Sequence, residues 1–166
     1  MEEDNGLQNR LHKILKIIED CKYGFHDISR TQPNPNGYPR FNMPFELGLF
    51  YACMHYGEER HKKKNAAIFE EVKYSYQQSI SDLNGVDTKD HNNDIEVLIT
   101  KLRNWLSTAS QRRNIPGPDI IKQSFSSFEL QYPIIVHKLG FQIDNVQFND
   151  LSTIIEDWLK VNLSIA

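Results

Sequence analysis

The chain has little of what would place it in several large protein classes. It holds only 2 cysteines in 166 residues, too few for the disulfide framework of a small secreted domain. No apolar run approaches the roughly 20 residues that a membrane-spanning helix requires. With 19 basic against 22 acidic residues and a formal charge of −3, the chain lacks the basic excess of proteins that track phosphates, which argues against a nucleic-acid partner. Internal repeats and low-complexity segments are also missing. No secretory signal is visible at the start, so the expectation is a cytoplasmic protein with Cys21 and Cys53 as reduced core residues. The charged fraction of 25 % is ordinary for a folded domain. The length fits one domain spanning 1–166, with 1–6 frayed and 108–166 as a helical extension of the same domain.

What is present is organised around one stretch, Arg40-Phe-Asn-Met-Pro-Phe-Glu-Leu-Gly-Leu-Phe-Tyr-Ala-Cys-Met-His-Tyr-Gly57. Pro44 suits the first turn of a helix, where no backbone N–H is needed. Phe45, Leu49, Ala52, Cys53 and Tyr56 follow helical spacing, and Leu47, Phe50 and Met54 cover much of the remaining surface. A helix apolar on nearly every side is expected to be buried, with Gly57 as its stop. Its one carboxylate, Glu46, is expected in the first turn.

Upstream, Leu7, Leu11, Ile14, Leu15 and Ile18 give an amphipathic stripe with Arg10, Lys13 and Lys16 facing water. Lys22 to Ile28 reads as a buried strand ending near Asp27. Ser29 to Asn42 is a loop punctuated by Pro33, Pro35, Gly37 and Pro39, long enough to suggest a functional role. Downstream, Arg60-His-Lys-Lys-Lys64 reads as a solvated turn before a strand at Asn65–Glu70. Between Asp82 and Asn93 the acidic spacing fails the calcium-loop pattern, because Gly85 stands fourth and Asn93 twelfth. No other metal-ligand spacing appears. Helices are expected over Asp94–Ser107, from an Asp119 N-cap with a bend or restart at Pro133, and around Phe148–Leu159. The order helix–strand–helix–strand–helix is that of a doubly wound parallel fold lacking its first strand, so either the sheet is small or the chain starts late. Two strands make a poor sheet, which leaves room for a second copy or a partner chain to complete it.

Three segments carry a resemblance: Cys21-Lys-Tyr-Gly-Phe-His-Asp-Ile-Ser-Arg30, Arg40-Phe-Asn-Met-Pro-Phe-Glu-Leu-Gly48, and Ser81-Asp-Leu-Asn-Gly-Val-Asp-Thr-Lys-Asp-His91. The first two resemble the core of the TIR-like and nucleoside deoxyribosyltransferase-like superfamily of bacterial proteins. There a strand ends in Asp, a loop follows, and a Glu-Leu-Gly helix carries a glutamate. The third resembles a segment of uncharacterised bacterial members. The resemblance implies an α/β, flavodoxin-like fold: a small parallel sheet flanked by helices, with a helix-rich C-terminal half. It also implies action on the N-glycosidic bond of NAD or a related nucleotide, which is substrate rather than cofactor. In that frame Glu46 is the catalytic carboxylate at the sugar C1′ and Asp27 an acidic group near base or sugar. A second reading from another class is a nucleotide-sensing or interaction module without turnover, as in bacterial defence.

The residue chemistry can be judged separately. Breaking a C1′–N bond builds positive charge on the sugar, and a fixed carboxylate lowers that barrier by covalent attack or electrostatic stabilisation. Glu46 fits this need; its plainer role is pairing with Arg30 or Arg40. Asp27 sits where open α/β sheets bind ligands, beyond the strand's carboxyl end, or else forms a turn with its own backbone. Arg30 and Arg40 can fork onto phosphate. Asn42 is a candidate for a ribose hydroxyl or a helix cap. His26 and Ser29 flank Asp27, but adjacent strand residues point to opposite faces, so the run alone builds no triad. His91, with Asp82 and Asp87, is placed near the site without metal-ligand spacing.

Overall fold

The computed structural model describes residues 9–30, 37 and 40–162. They divide into two compact units, one within Leu7–Pro118 and one within Asp119–Ala166. The first six residues, and most of the Pro-rich loop, lie outside the described residues.

In the first unit, the apolar stripe produces helix α1, Arg10–Asp20, whose start is fixed by Asn9 accepting the Leu11 N–H at 2.9 Å. A helix end leaves carbonyls without intrahelical partners. Here the Lys64 ammonium donates to the carbonyls of Ile18 at 2.6 Å, Glu19 at 3.1 Å and Cys21. The basic run is therefore not simply a solvated turn. His61 and Lys64 are buried, Arg60 pairs with Glu19 and Lys62 with Glu59. Cys21, expected in the core, is exposed, because it closes α1 and contributes its backbone rather than its thiol. Cys53 is partly buried, and both thiols are free.

Strand β1, Tyr23–Asp27, and strand β2, Asn65–Glu70, form where the sequence placed them. A third strand, β3, Lys89–Asp90, was not legible: two residues are too few to show a period. The three form a parallel sheet in the order β1-β2-β3, with Asp27 opposite Phe69 and Phe69 opposite Lys89. The fold is thus α/β with a small parallel sheet and many helices. Alternation along β1 sorts its neighbours. Tyr23 meets Trp105 of helix α3, Ile95–Ser110, edge-on at 6.2 Å between rings. Gly24 and His26 face helix α2, Asn42–Tyr56, through Phe50. A Cβ on Gly24 would lie 2.7 Å from His26 Nε2 and 2.9 Å from Phe50 Cε2, so this close approach requires glycine.

Helix α2 differs from expectation in three ways. It starts at Asn42 with Phe41 in the cap position and no side-chain cap, so Asn42 does not cap it. Glu46 consequently falls beyond the first turn. Nor is the helix buried all round: Leu47 and Phe50 are, but Phe41, Phe45 and Tyr51 are exposed and Tyr56 is 92 % exposed. Its inner face still anchors a core of Ile28, Leu47 and Tyr76, backed by Met43, Ile68, Ile80 and Leu83. The segment after β2 is organised by Glu70, which is fully buried. Its carboxylate accepts the Tyr74 and Tyr76 N–H groups and the Ser75 and Thr88 hydroxyls. A buried charge is tolerable when so many donors meet it.

The second unit holds helix α4, Pro118–Lys138, and helix α5, Phe148–Asn162. Pro118 opens α4, so Asp119 sits inside its first turn instead of capping it, and the helix continues through Pro133 without restarting. Trp158 packs on Phe128 at 5.4 Å and donates its indole N–H to Gln131 at 3.1 Å. Among the described residues no helix is long and apolar enough to cross a membrane.

Candidate active site

Residues from the carboxyl end of β1 and from the start of α2 line one cavity. It measures about 350 Å³ and is lined by Arg10, Asp27, Ile28, Arg30, Arg40, Asn42, Met43, Pro44 and Glu46. Every residue singled out as catalytic or substrate-binding in the sequence therefore lines this one cavity. The core residues Ile28 and Met43 form part of the wall, so the cavity rests directly on the packed core.

Its charges are arranged in two sets. Arg30 and Arg40 are exposed, and the third guanidinium comes from Arg10, which periodicity assigned only to the solvent face of α1. Its position in the first turn of α1 puts it at the cavity, a consequence of helix packing that the local sequence does not encode. Among the described residues none of these arginines pairs with a carboxylate, and Glu46 forms no ion pair. The plainer role for Glu46, a salt bridge with Arg30 or Arg40, is not realised there.

Asp27 is held firmly. One carboxylate oxygen accepts the Ser29 N–H at 2.9 Å and the Ser29 hydroxyl at 2.5 Å. The local turn bond anticipated for this aspartate is thus present, but it occupies a single oxygen. The other oxygen lies 3.6 Å from His91 Nε2, which also sits 2.9 Å from Ser29 Oγ. His91 Nδ1 accepts the Asn93 N–H at 3.1 Å, which puts the proton of the neutral ring on Nε2. His91 then donates toward Ser29 and Asp27 and takes no proton from the serine. The cluster positions Asp27; it is not a serine nucleophile with its base. Asp82 and Asp87, grouped with His91 in the sequence, share no hydrogen bond with it among the described residues.

A second cavity, of about 210 Å³, shares Glu46 with the first as a lining residue. Its remaining walls are largely apolar, from Ile14, Ile17 and Ile18 of α1, β1 and Phe50 of α2. His26 lines it as well. Burial pushes the pKa of this imidazole below its ordinary value of 6.5, which favours the neutral ring. Among the described residues no group of three or more His, Cys, Asp or Glu side chains is placed to hold a metal ion. No family model matches the chain, and no curated protein or solved structure matches it either.

Proposed function

We propose that the protein cleaves the N-glycosidic bond of a 5′-phosphorylated nucleoside, NAD or a related nucleotide, with Glu46 as the group acting at C1′. The observation that carries this reading is the meeting in a single cavity of one fixed aspartate, three arginines and one glutamate that forms no ion pair among the described residues. The arginines suit a phosphate or pyrophosphate, which accepts forked hydrogen bonds from guanidinium. Asp27, held by Ser29 and His91, suits the sugar hydroxyls, and Asn42 adds an amide on the same wall. The C1′–N bond breaks with its electron pair leaving on the base. Glu46 either bonds to C1′ as an ester or stabilises the oxocarbenium centre. Water then supplies the hydroxyl to C1′ and releases its other proton to solvent or to the departing base.

The order of strand-end Asp27, loop and Glu46-Leu-Gly48 supports a TIR-like or deoxyribosyltransferase-like family. A parallel sheet with helices on both faces supports a flavodoxin-like arrangement. Glu46→Gln tests the activity, with nicotinamide or free base released from NAD and from nucleoside 5′-phosphates measured by chromatography. The variant is expected to lose about 10²–10³-fold in rate while its unfolding transition is unchanged. Equal release by the variant and the native protein would overturn the assignment. Nucleotide-dependent thermal stabilisation without product would replace it with a sensing module.

A further inference from the structure

The hydrogen bonds that end on Asp27 all run in one direction. The Asn93 N–H donates to His91 Nδ1 at 3.1 Å, the His91 Nε2–H to Ser29 Oγ at 2.9 Å, and the Ser29 hydroxyl to Asp27 Oδ1 at 2.5 Å. Each group in the middle accepts from one side and donates to the other, so the members polarise one another toward the carboxylate. The chain begins in a turn shaped to start it. Asn92 and Asn93 both hold left-handed φ, 51° and 57°, a region that asparagine tolerates better than most side chains. The turn is tied to the end of β2, where the Glu70 carbonyl accepts the His91 N–H at 3.0 Å and the Glu71 carbonyl the Asn92 N–H at 2.8 Å. Asp94 follows as the cap of α3, accepting the Glu96 and Val97 N–H groups at 2.8 and 3.2 Å. From this support, just after β3, His91 reaches the end of β1, the other outer strand of the sheet.

We propose that His91 and Asn93 are positioning residues for Asp27 and make the cavity selective for ribonucleotides over their deoxy forms, a proposal that rests on the cleavage reading for its nucleotide. Asp27 lines the cavity with a side chain 35 % exposed, whereas His91, 7 % exposed, does not line it. Oδ1 is filled by the Ser29 N–H and hydroxyl. Oδ2 lies 3.6 Å from His91 Nε2, beyond hydrogen-bond range, and so keeps its accepting capacity. An ionised carboxylate only accepts hydrogen bonds, which suits a sugar hydroxyl and gains nothing from a carbon-bound hydrogen. A site built to bond a hydroxyl discriminates against the analogue that lacks it, because its own polar group is then left without a partner.

Binding is read by calorimetry in the Glu46→Gln protein, so that turnover plays no part. The probes are AMP, its 2′-deoxy and 3′-deoxy forms, and inorganic pyrophosphate. AMP is expected to bind about tenfold tighter than at least one deoxy form, the worth of one hydrogen bond to a charged group. His91→Phe, which keeps a ring without a donor, should remove that preference by weakening AMP alone, with pyrophosphate binding unchanged. His91→Gln returns an N–H on a side chain long enough to reach Ser29 and should restore most of the preference, which a merely space-filling histidine would not require. Ser29→Ala breaks the middle link but leaves the Ser29 N–H on Asp27. It should remove the preference as well, so the result does not hang on one variant's folding. A preference that survives both His91→Phe and Ser29→Ala would overturn the inference. So would equal losses in His91→Phe and His91→Gln, or AMP that binds no better than both deoxy forms before these substitutions. Ribose preference without base release in the Glu46 test would end the cleavage reading alone, and release without the preference would end this inference alone.

Discussion

His26 and His91 are buried to the same extent, 6 % exposed each, the first against Phe50 of α2 and the second just after β3. Both ring nitrogens of His91 are engaged, one by Ser29 and the other by the Asn93 amide; neither nitrogen of His26 is. The carboxylates divide in the same way. Glu70 receives four protein donors, whereas Glu46 faces a cavity without an ion pair among the described residues. The β2–β3 side thus satisfies its polar groups internally. On the β1–α2 side, His26 and Glu46 have no such protein partners among the described residues.

The contrast can be broken most forcefully at Glu70. Glu70→Ala strands two backbone N–H groups and the Thr88 hydroxyl, so a loss of about 3 kcal/mol or more is expected, read by urea denaturation. A change below about 1 kcal/mol would mean that Glu70 does not organise its loop. A smaller effect is expected at His26, with a definite sign. The unfolded ring takes a proton near its ordinary pKa of 6.5, and the folded ring resists it. Stability should therefore be fully present above pH 6.5 and fall as the pH drops below that value toward the lowered folded pKa. His26→Phe should flatten this part of the curve and add about 1 kcal/mol at neutral pH by removing unpaired buried nitrogens. An unchanged pH slope would show that the histidine is hydrated or paired in solution.

The smallest effect is expected at Gly48, where an added Cβ would meet open space. Gly48→Ala should stabilise α2 by about 0.5–1 kcal/mol, since glycine is a poor residue inside a helix. Thermal unfolding measures this directly. A loss of stability would show that the outer face of α2 is more crowded than its geometry indicates.

Much of the site was legible because its parts are local. Asp27 closes a strand with a clear apolar pattern, and Glu46 follows Pro44 at a fixed helical offset, so their residue types and element ends could be read directly. Arg10 was not, since a stripe at period 3.6 tells which face is polar and says nothing of what the end of that face approaches. The burial of His26 without hydrogen-bond partners depends on Phe50 and Gly24, residues that only packing brings together with it. The burial of α2 was overestimated for a related reason. Apolar residues on all sides imply neighbours on all sides only if the fold supplies them, and among the described residues Phe45 stays more than half exposed and Tyr56 almost wholly so. β3 escaped notice because its pairing is fixed by β2 and its own two residues carry no period.

The bonds from Lys64 to the end of α1 have a mechanical consequence. They clamp one end of a stiff rod whose other end carries Arg10, 11 residues in all, or about 16 Å at 1.5 Å per residue. The same ammonium lies over the Phe50 ring at 5.5 Å, so the clamp also grips α2. A rod held this way behaves as a lever. A tilt of about 5° at the clamp moves the far end by about 1.4 Å, and misplacement by about 1 Å can cost an enzyme about 10²-fold in rate. The alignment of Arg10 is thus governed from the far side of the helix, by a lysine that touches no part of the cavity Arg10 serves.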